Sequence, residues 1–146
     1  MLSNQFRGAA CAAVFSTIAT AALAGGVTVT EGWFRALPTS SPSGAYFNLT
    51  NATGSAVTLT GAASPACGML MLHRTESAGG MSSMQDMTTV SVAPGATIHF
   101  APGGYHLMCM GTTAALKPGA TVPVTLQFAG GSSVTVPFAV RNAAGR

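Results

Sequence analysis

Charge is what this sequence has least of. Charged residues make up 6% of its 146 positions, where an ordinary soluble domain carries roughly 25%. That scarcity excludes a coiled coil, a charge-laced helical bundle and a charged disordered tail. The only acids are Glu31, Glu76 and Asp86, too few for most paired-carboxylate or Mg-dependent chemistry. No two of the six Lys/Arg residues are adjacent, so there is no basic stripe to neutralise the phosphates of a nucleic acid. Aromatic residues are 7%, and no segment of useful length repeats its apolar residues every 3.6 positions, so long helices are not expected. No phosphate loop, Ser-His-Asp order or poised general base is visible, and an enzyme is not expected.

The first segment is an address. Residues 1–24 read MLSNQFRGAACAAVFSTIATAALA: Arg7 supplies a positive start, residues 9–23 are apolar, and Ala22-Leu23-Ala24 is an A-x-A cleavage site. This predicts a secretory signal peptide cut after Ala24, leaving one domain, residues 25–146. The apolar run is shorter than the roughly 20 residues a spanning helix needs. A lipid-anchored reading would use Cys11, but Gly8 stands where a Leu is expected and no apolar segment precedes it. No later run is long enough to span a membrane. The expectation is an exported, periplasmic product.

The mature segment alternates. Val124, Leu126 and Phe128 alternate with Thr125 and Gln127; Val134, Val136, Phe138 and Val140 follow the turn Gly130-Gly131, a hairpin pattern. Turn signals at Thr53-Gly54, Pro94-Gly95, Pro102-Gly103-Gly104 and Pro118-Gly119 separate other short runs. Strands are expected over 27–36, 44–51, 56–63, 67–74, 84–92, 96–101, 105–110, 121–129 and 132–140, in an all-β Greek-key sandwich.

Into that frame the chain concentrates soft ligands. Seven of its eight Met and all three His fall between residues 69 and 110. Met commonly fills gaps in a core, but strand parity argues otherwise. In Tyr105–Met110, residues 105, 107 and 109 share one face and His106, Met108 and Met110 the other. Likewise Leu70 and Leu72 face opposite to Met69, Met71 and His73. Thioethers select Cu(I), and imidazole tolerates it; zinc would take Cys, His or carboxylate instead. Four neutral ligands leave the ion's charge uncancelled, which favours an exchangeable site. His99, between Ile98 and Phe100, reads as a solvent-face residue. Met81, Met87 and Met110 read as a surrounding apolar shell or as alternates. Parity puts Cys67 with His73 and away from Cys109, which reads as a buried small hydrophobe; this argues against a disulfide unless a bulge reverses it.

The ordered residues His73, Met84, His106 and Met108 form H-x10-M-x21-H-x-M, which resembles the periplasmic copper chaperones of the PCu(A)C family. GAYFNLTN (44–51), APGGYHLMCMG (101–111) and LKPGATVPVTLQF (116–128) look like that family's sequence too, so the resemblance covers essentially all of the mature domain. It implies a cupredoxin-like β-sandwich, Cu(I) held by His73, Met84, His106 and Met108, and delivery toward the binuclear copper site of cytochrome c oxidase, with subunit II or a Sco-type protein as partner. Two departures stand out. Arg74 follows the first His where members often have an acid or Met, a cation that would weaken copper retention or discourage a cationic partner surface. The chain ends RNAAGR, without the His/Met-rich extension some members carry, so one copper per chain is expected. Three rival readings remain: sequestration of copper without a delivery partner, a blue-copper electron carrier (disfavoured because His106 precedes Cys109), and a metal-free adhesion sandwich, which leaves the His/Met faces unexplained.

Overall fold

The computed structural model describes residues 21–23, 26–38 and 41–146. Its elements are eleven strands: β1 (Ala21–Leu23), β2 (Val27–Arg35), β3 (Ser43–Asn51), β4 (Val57–Ala63), β5 (Cys67–Ala78), β6 (Met81–Asp86), β7 (Val90–Val92), β8 (Thr97–Phe100), β9 (Tyr105–Thr112), β10 (Thr121–Phe128) and β11 (Ser133–Arg141). Among the described residues no helix is long and apolar enough to cross a membrane. The segment read as a signal peptide falls outside the described residues except for Ala21–Leu23, which pairs with the start of β2.

Alternation becomes burial directly. Along β10 and β11 every second residue is buried (Val122, Val124, Leu126, Phe128; Val134, Val136, Phe138, Val140) and the residues between them face outward. The turn that joins them contains Gly130 and Gly131, at φ 91° and 87°, backbone that side-chain-bearing residues avoid.

The hydrogen-bonded path runs β2-β11-β10-β4-β5-β9-β3 and returns to β2 through the β2–β3 pairing. The expected all-β class is therefore what the chain adopts, and its sheet closes as a seven-strand barrel. Inward/outward alternation is the same in a barrel and in two facing sheets, so pattern alone could not separate them. Closure gives each of the seven barrel strands a neighbour on both sides, and the edges that remain are those of the short strands β1, β6, β7 and β8. The interior is apolar, with Phe34, Phe47, Leu59, Leu107, Leu126 and Phe138 at or below 1% exposure. Phe47 stacks on Phe100 with ring centroids 4.2 Å apart.

Two expected strands change. β5 runs on to Ala78, and the stretch expected as one strand over 84–92 divides into β6 and β7. All six residues of β6 are exposed, so the strand carries no alternation to read. It is held as a hairpin with β5 around Gly79-Gly80, at φ 59° and 80°. Two successive positive-φ glycines are the signature of a tight hairpin turn.

The disulfide expectation also reverses: Cys67 and Cys109 are bonded, with Cα atoms 5.4 Å apart. In a flat ladder Leu70 opposes Cys109, and Cys67, three positions away, would point to the other face. The ladder is not flat there. Gly111 takes φ 61° and packs against Gly68, its Cβ direction meeting the Gly68 backbone at 3.5 Å. Two facing glycines let the strand pair coil and swing Cys67 over the core side. Cys109 itself is fully buried, as expected.

Candidate metal centre

Three neighbouring strands, β6, β5 and β9, build the candidate site. On β5 and β9, His73 stands directly opposite His106, Met71 opposite Met108 and Met69 opposite Met110. Residues two apart on a strand share a face, so these three cross-strand pairs form one His/Met face, while Leu70, Leu72, Leu107 and Cys109 are buried on the other. On the far side of β5, His73 opposes Asp86 and Thr75 opposes Met84. Met84 therefore sits diagonal to His73 on the same face.

The two imidazoles meet edge to face, 5.6 Å between centroids. His106 is buried, and its Nδ1 lies 3.1 Å from the Gly104 carbonyl. A carbonyl only accepts, so Nδ1 carries the proton and Nε2 is left with a free lone pair, the arrangement usual for a metal-ligating His. No hydrogen-bond partner reaches His106 Nε2 or His73 Nδ1. His73 Nε2 lies 2.9 Å from Asp86 Oδ1, but without the alignment of a hydrogen bond. Buried polar atoms without partners are rare in folded proteins; here His106 Nε2 and His73 Nδ1, on two facing histidines, share that condition. Burial, the larger effect, lowers the His106 pKa from 6.5, and the charge of His73 pushes the same way, against the hydrogen bond to Gly104. The ring is therefore kept neutral, as a ligand must be.

A cleft of about 310 Å³ opens over this face, lined by His106, Met108, Met84, Thr75, Tyr46 and Arg35 among others. Gly44 is paired with Met108 and adds no side chain. Instead Tyr46 lies across it: a Cβ on Gly44 would fall 2.5 Å from Tyr46 Oη. Tyr46 is also 6.4 Å from the His106 ring and 4.7 Å from Trp33, centroid to centroid. All four residues of the sequence motif are thus gathered on one face. His73 and His106 are paired, Met108 follows His106 on the same strand, and Met84 reaches the cleft from the exposed hairpin. Among the described residues no three His, Cys, Asp or Glu side chains cluster as metal ligands. His99 is exposed and 2.7 Å from Asn48 Oδ1, away from the site.

Some residues escaped the sequence reading. Asp86 is one: the Gly79-Gly80 hairpin turn sets it opposite His73. Arg35 also lines the cleft, its guanidinium 5.7 Å from the Trp33 ring and 5.6 Å from the Tyr46 ring, with Nε unpartnered. Arg74, the suspected cation, instead turns to Tyr105 (5.3 Å) and Glu76 (3.6 Å).

The family model described as "Putative lipoprotein LpqE-like" matches residues 27–140. The chain belongs to the LpqE-like family. A curated relative, "Putative lipoprotein Lxx21020" of Leifsonia xyli subsp. xyli (strain CTCB07), is 35% identical over 123 residues, 84% of this chain and 74% of its own. Among solved structures, the copper-bound PCuAC domain from PmoF2 superposes with TM-score 0.71 over 86% of this chain and 99% of that one, at 20% identity. The solution structure of CuI-DR1885 from Deinococcus radiodurans is 34% identical, with TM-score 0.62 over 75% of this chain and 74% of that one. The apo form of DR1885 matches over 100% and 99%, at 32% identity and TM-score 0.61. This LpqE-like chain therefore has the fold of PCuAC domains, as its sequence resemblance implied.

Proposed function

We propose that the protein is an exported Cu(I) carrier. It binds one ion through His73, Met84, His106 and Met108 and hands it on by ligand exchange, without catalysing a reaction. The observation that carries this reading is the facing pair His73 and His106, with His106 Nε2 and His73 Nδ1 unpartnered, on the same side as a Met ladder. Two imidazoles and two thioethers suit Cu(I) and no common hard ion. None of the four ligands is anionic, and Met84 sits on an exposed hairpin at 61% exposure. Both features favour release to a competing acceptor over permanent retention. The 34% identity to CuI-DR1885 supports the metal and its oxidation state. The lipoprotein names of its relatives support export to the periplasm. The acceptor that fits the sequence resemblance is the binuclear copper site of cytochrome c oxidase, in subunit II or through a Sco-type protein.

Sequestration without an acceptor uses the same site and differs only in lacking transfer. A blue-copper electron carrier needs a thiolate ligand, and Cys109 is bound to Cys67 in a disulfide, which weighs against it. X-ray absorption on the anaerobically Cu(I)-loaded protein tests the reading. Mixed nitrogen and thioether scattering, weakened by Met108→Ala, is expected; a thiolate shell or no stoichiometric copper would overturn it. Transfer of copper to an apo acceptor then separates delivery from sequestration.

A further inference from the structure

Three methionines on the same face are left over once the four motif residues are assigned. Met69 and Met110 are directly opposed on β5 and β9, and Met71 belongs to the next pair along, opposite Met108. Met69 is 58% exposed and Met110 41%, so neither is filling a gap in the core. Directly opposed residues on one face of an antiparallel pair have Cβ atoms about 4.5–5.5 Å apart. Each Met adds three rotatable bonds beyond that, so two opposed thioethers can close on one ion. Met71, one pair along at about 7 Å, supplies a third sulfur from the side. The inner site does not need it, because Met108 and Met84 already accompany the two imidazoles.

The surroundings leave this end of the ladder open. Gly68 and Gly111 flank Met69 and Met110 and present no side chain. From Cys67 to Leu72 and from Leu107 to Thr112 there is no charged residue to repel a cation or to favour a hard one. The disulfide between Cys67 and Cys109 cross-links the same two strands beneath these pairs and holds the sulfurs in register.

We propose that Met69, Met71 and Met110 form a second, all-thioether site for a soft monovalent cation, Cu(I), at the outer end of the β5/β9 ladder. The Met69/Met110 pair lies about 14 Å along the strands from the His73/His106 pair, four residues at 3.4 Å each, with Met71 and Met108 opposed between them. The outer one is the more exposed and lacks imidazole, so it binds more weakly and exchanges faster. It raises the capacity from one copper per chain to two. This inference rests on the copper reading of the inner site, and its test separates the two.

The experiment is a titration with Ag(I), a soft ion that stands in for Cu(I) without redox change, on protein carrying 13C-labelled Met methyl groups. The expected result is movement of the Met108 and Met84 signals with the first equivalent and of Met69, Met71 and Met110 with the second. The double variant Met69→Leu/Met110→Leu, changed only at exposed positions, should bind one equivalent and keep the Met108 response. If Met108 responds and the outer three stay still through three equivalents, the second site falls and the inner one stands. If Met69 and Met110 move together with Met108 in the first equivalent, there is one merged site and the proposal fails. If no methyl group moves, both readings fail together.

Discussion

Reducing the Cys67–Cys109 bond should cost this protein much of its stability. The two cysteines are 42 positions apart. Cross-linking a loop of that length removes about 13 cal/mol/K of chain entropy from the unfolded state, or about 4 kcal/mol at 25 °C. A domain of this size has only about 5–15 kcal/mol in all. With a urea m-value of about 1.5 kcal/mol/M, the unfolding midpoint should fall by about 2.6 M on reduction. The assay is urea denaturation with and without reductant, followed by Trp33 fluorescence, with free thiols counted in denaturant beforehand. In the unreduced protein, residues Cys67 and Cys109 should give no free thiol. A pair of free thiols before reduction, or a midpoint that does not move once reduction is verified, would refute the reasoning. The consequence reaches the candidate metal site because Cys109 lies between Met108 and Met110: reduction should also weaken Cu(I) binding, since it loosens the strand pair that sets the His and Met residues opposite one another.

Three further outcomes follow. Because burial lowers the His106 pKa from 6.5, the unfolded chain binds more protons there than the folded one. The contribution of His106 to stability is complete above pH 6.5 and is lost as pH falls from there to its depressed folded value; metal-free urea midpoints measured across that range should fall, and His106→Gln should flatten the slope. Gly44→Ala should destabilise the protein by about 1–3 kcal/mol, because a Cβ there displaces the buried Tyr46, and should weaken Cu(I) binding; an unchanged melting temperature would contradict the packing described for the cleft. Mass spectrometry of the exported protein should find Gly25 as the first residue; a lipid on Cys11 would instead make the protein membrane-anchored.

Much of the site was legible because strand parity is local. His106 and Met108 share a face wherever the strand goes, and so do Met69, Met71 and His73, because successive side chains alternate by geometry alone. The same rule marked Leu107 and Cys109 as core and His99 as solvent-facing. Met84 needed more, since MSSMQD has no alternation and was recognised only through its spacing from His73 in the family motif. Asp86 opposite His73 was in principle readable from Gly79-Gly80, a turn that sets the hairpin's register.

By itself the sequence determined the all-β class, the apolar and His/Met faces of β5 and β9, and a set of side chains whose chemistry suits a soft cation. These depend on residue chemistry and a two-residue period. Tertiary structure alone decided that the sheet closes between β2 and β3, that His73 meets His106, that Arg35 and not Arg74 borders the cleft, and that Cys67 reaches Cys109. Each is a question of register or of strand coiling between segments distant in the chain. The coil at Gly68 and Gly111 shows why such questions escape a local reading: one positive-φ residue cancels the parity that, in a flat ladder, would have kept the two cysteines on opposite faces.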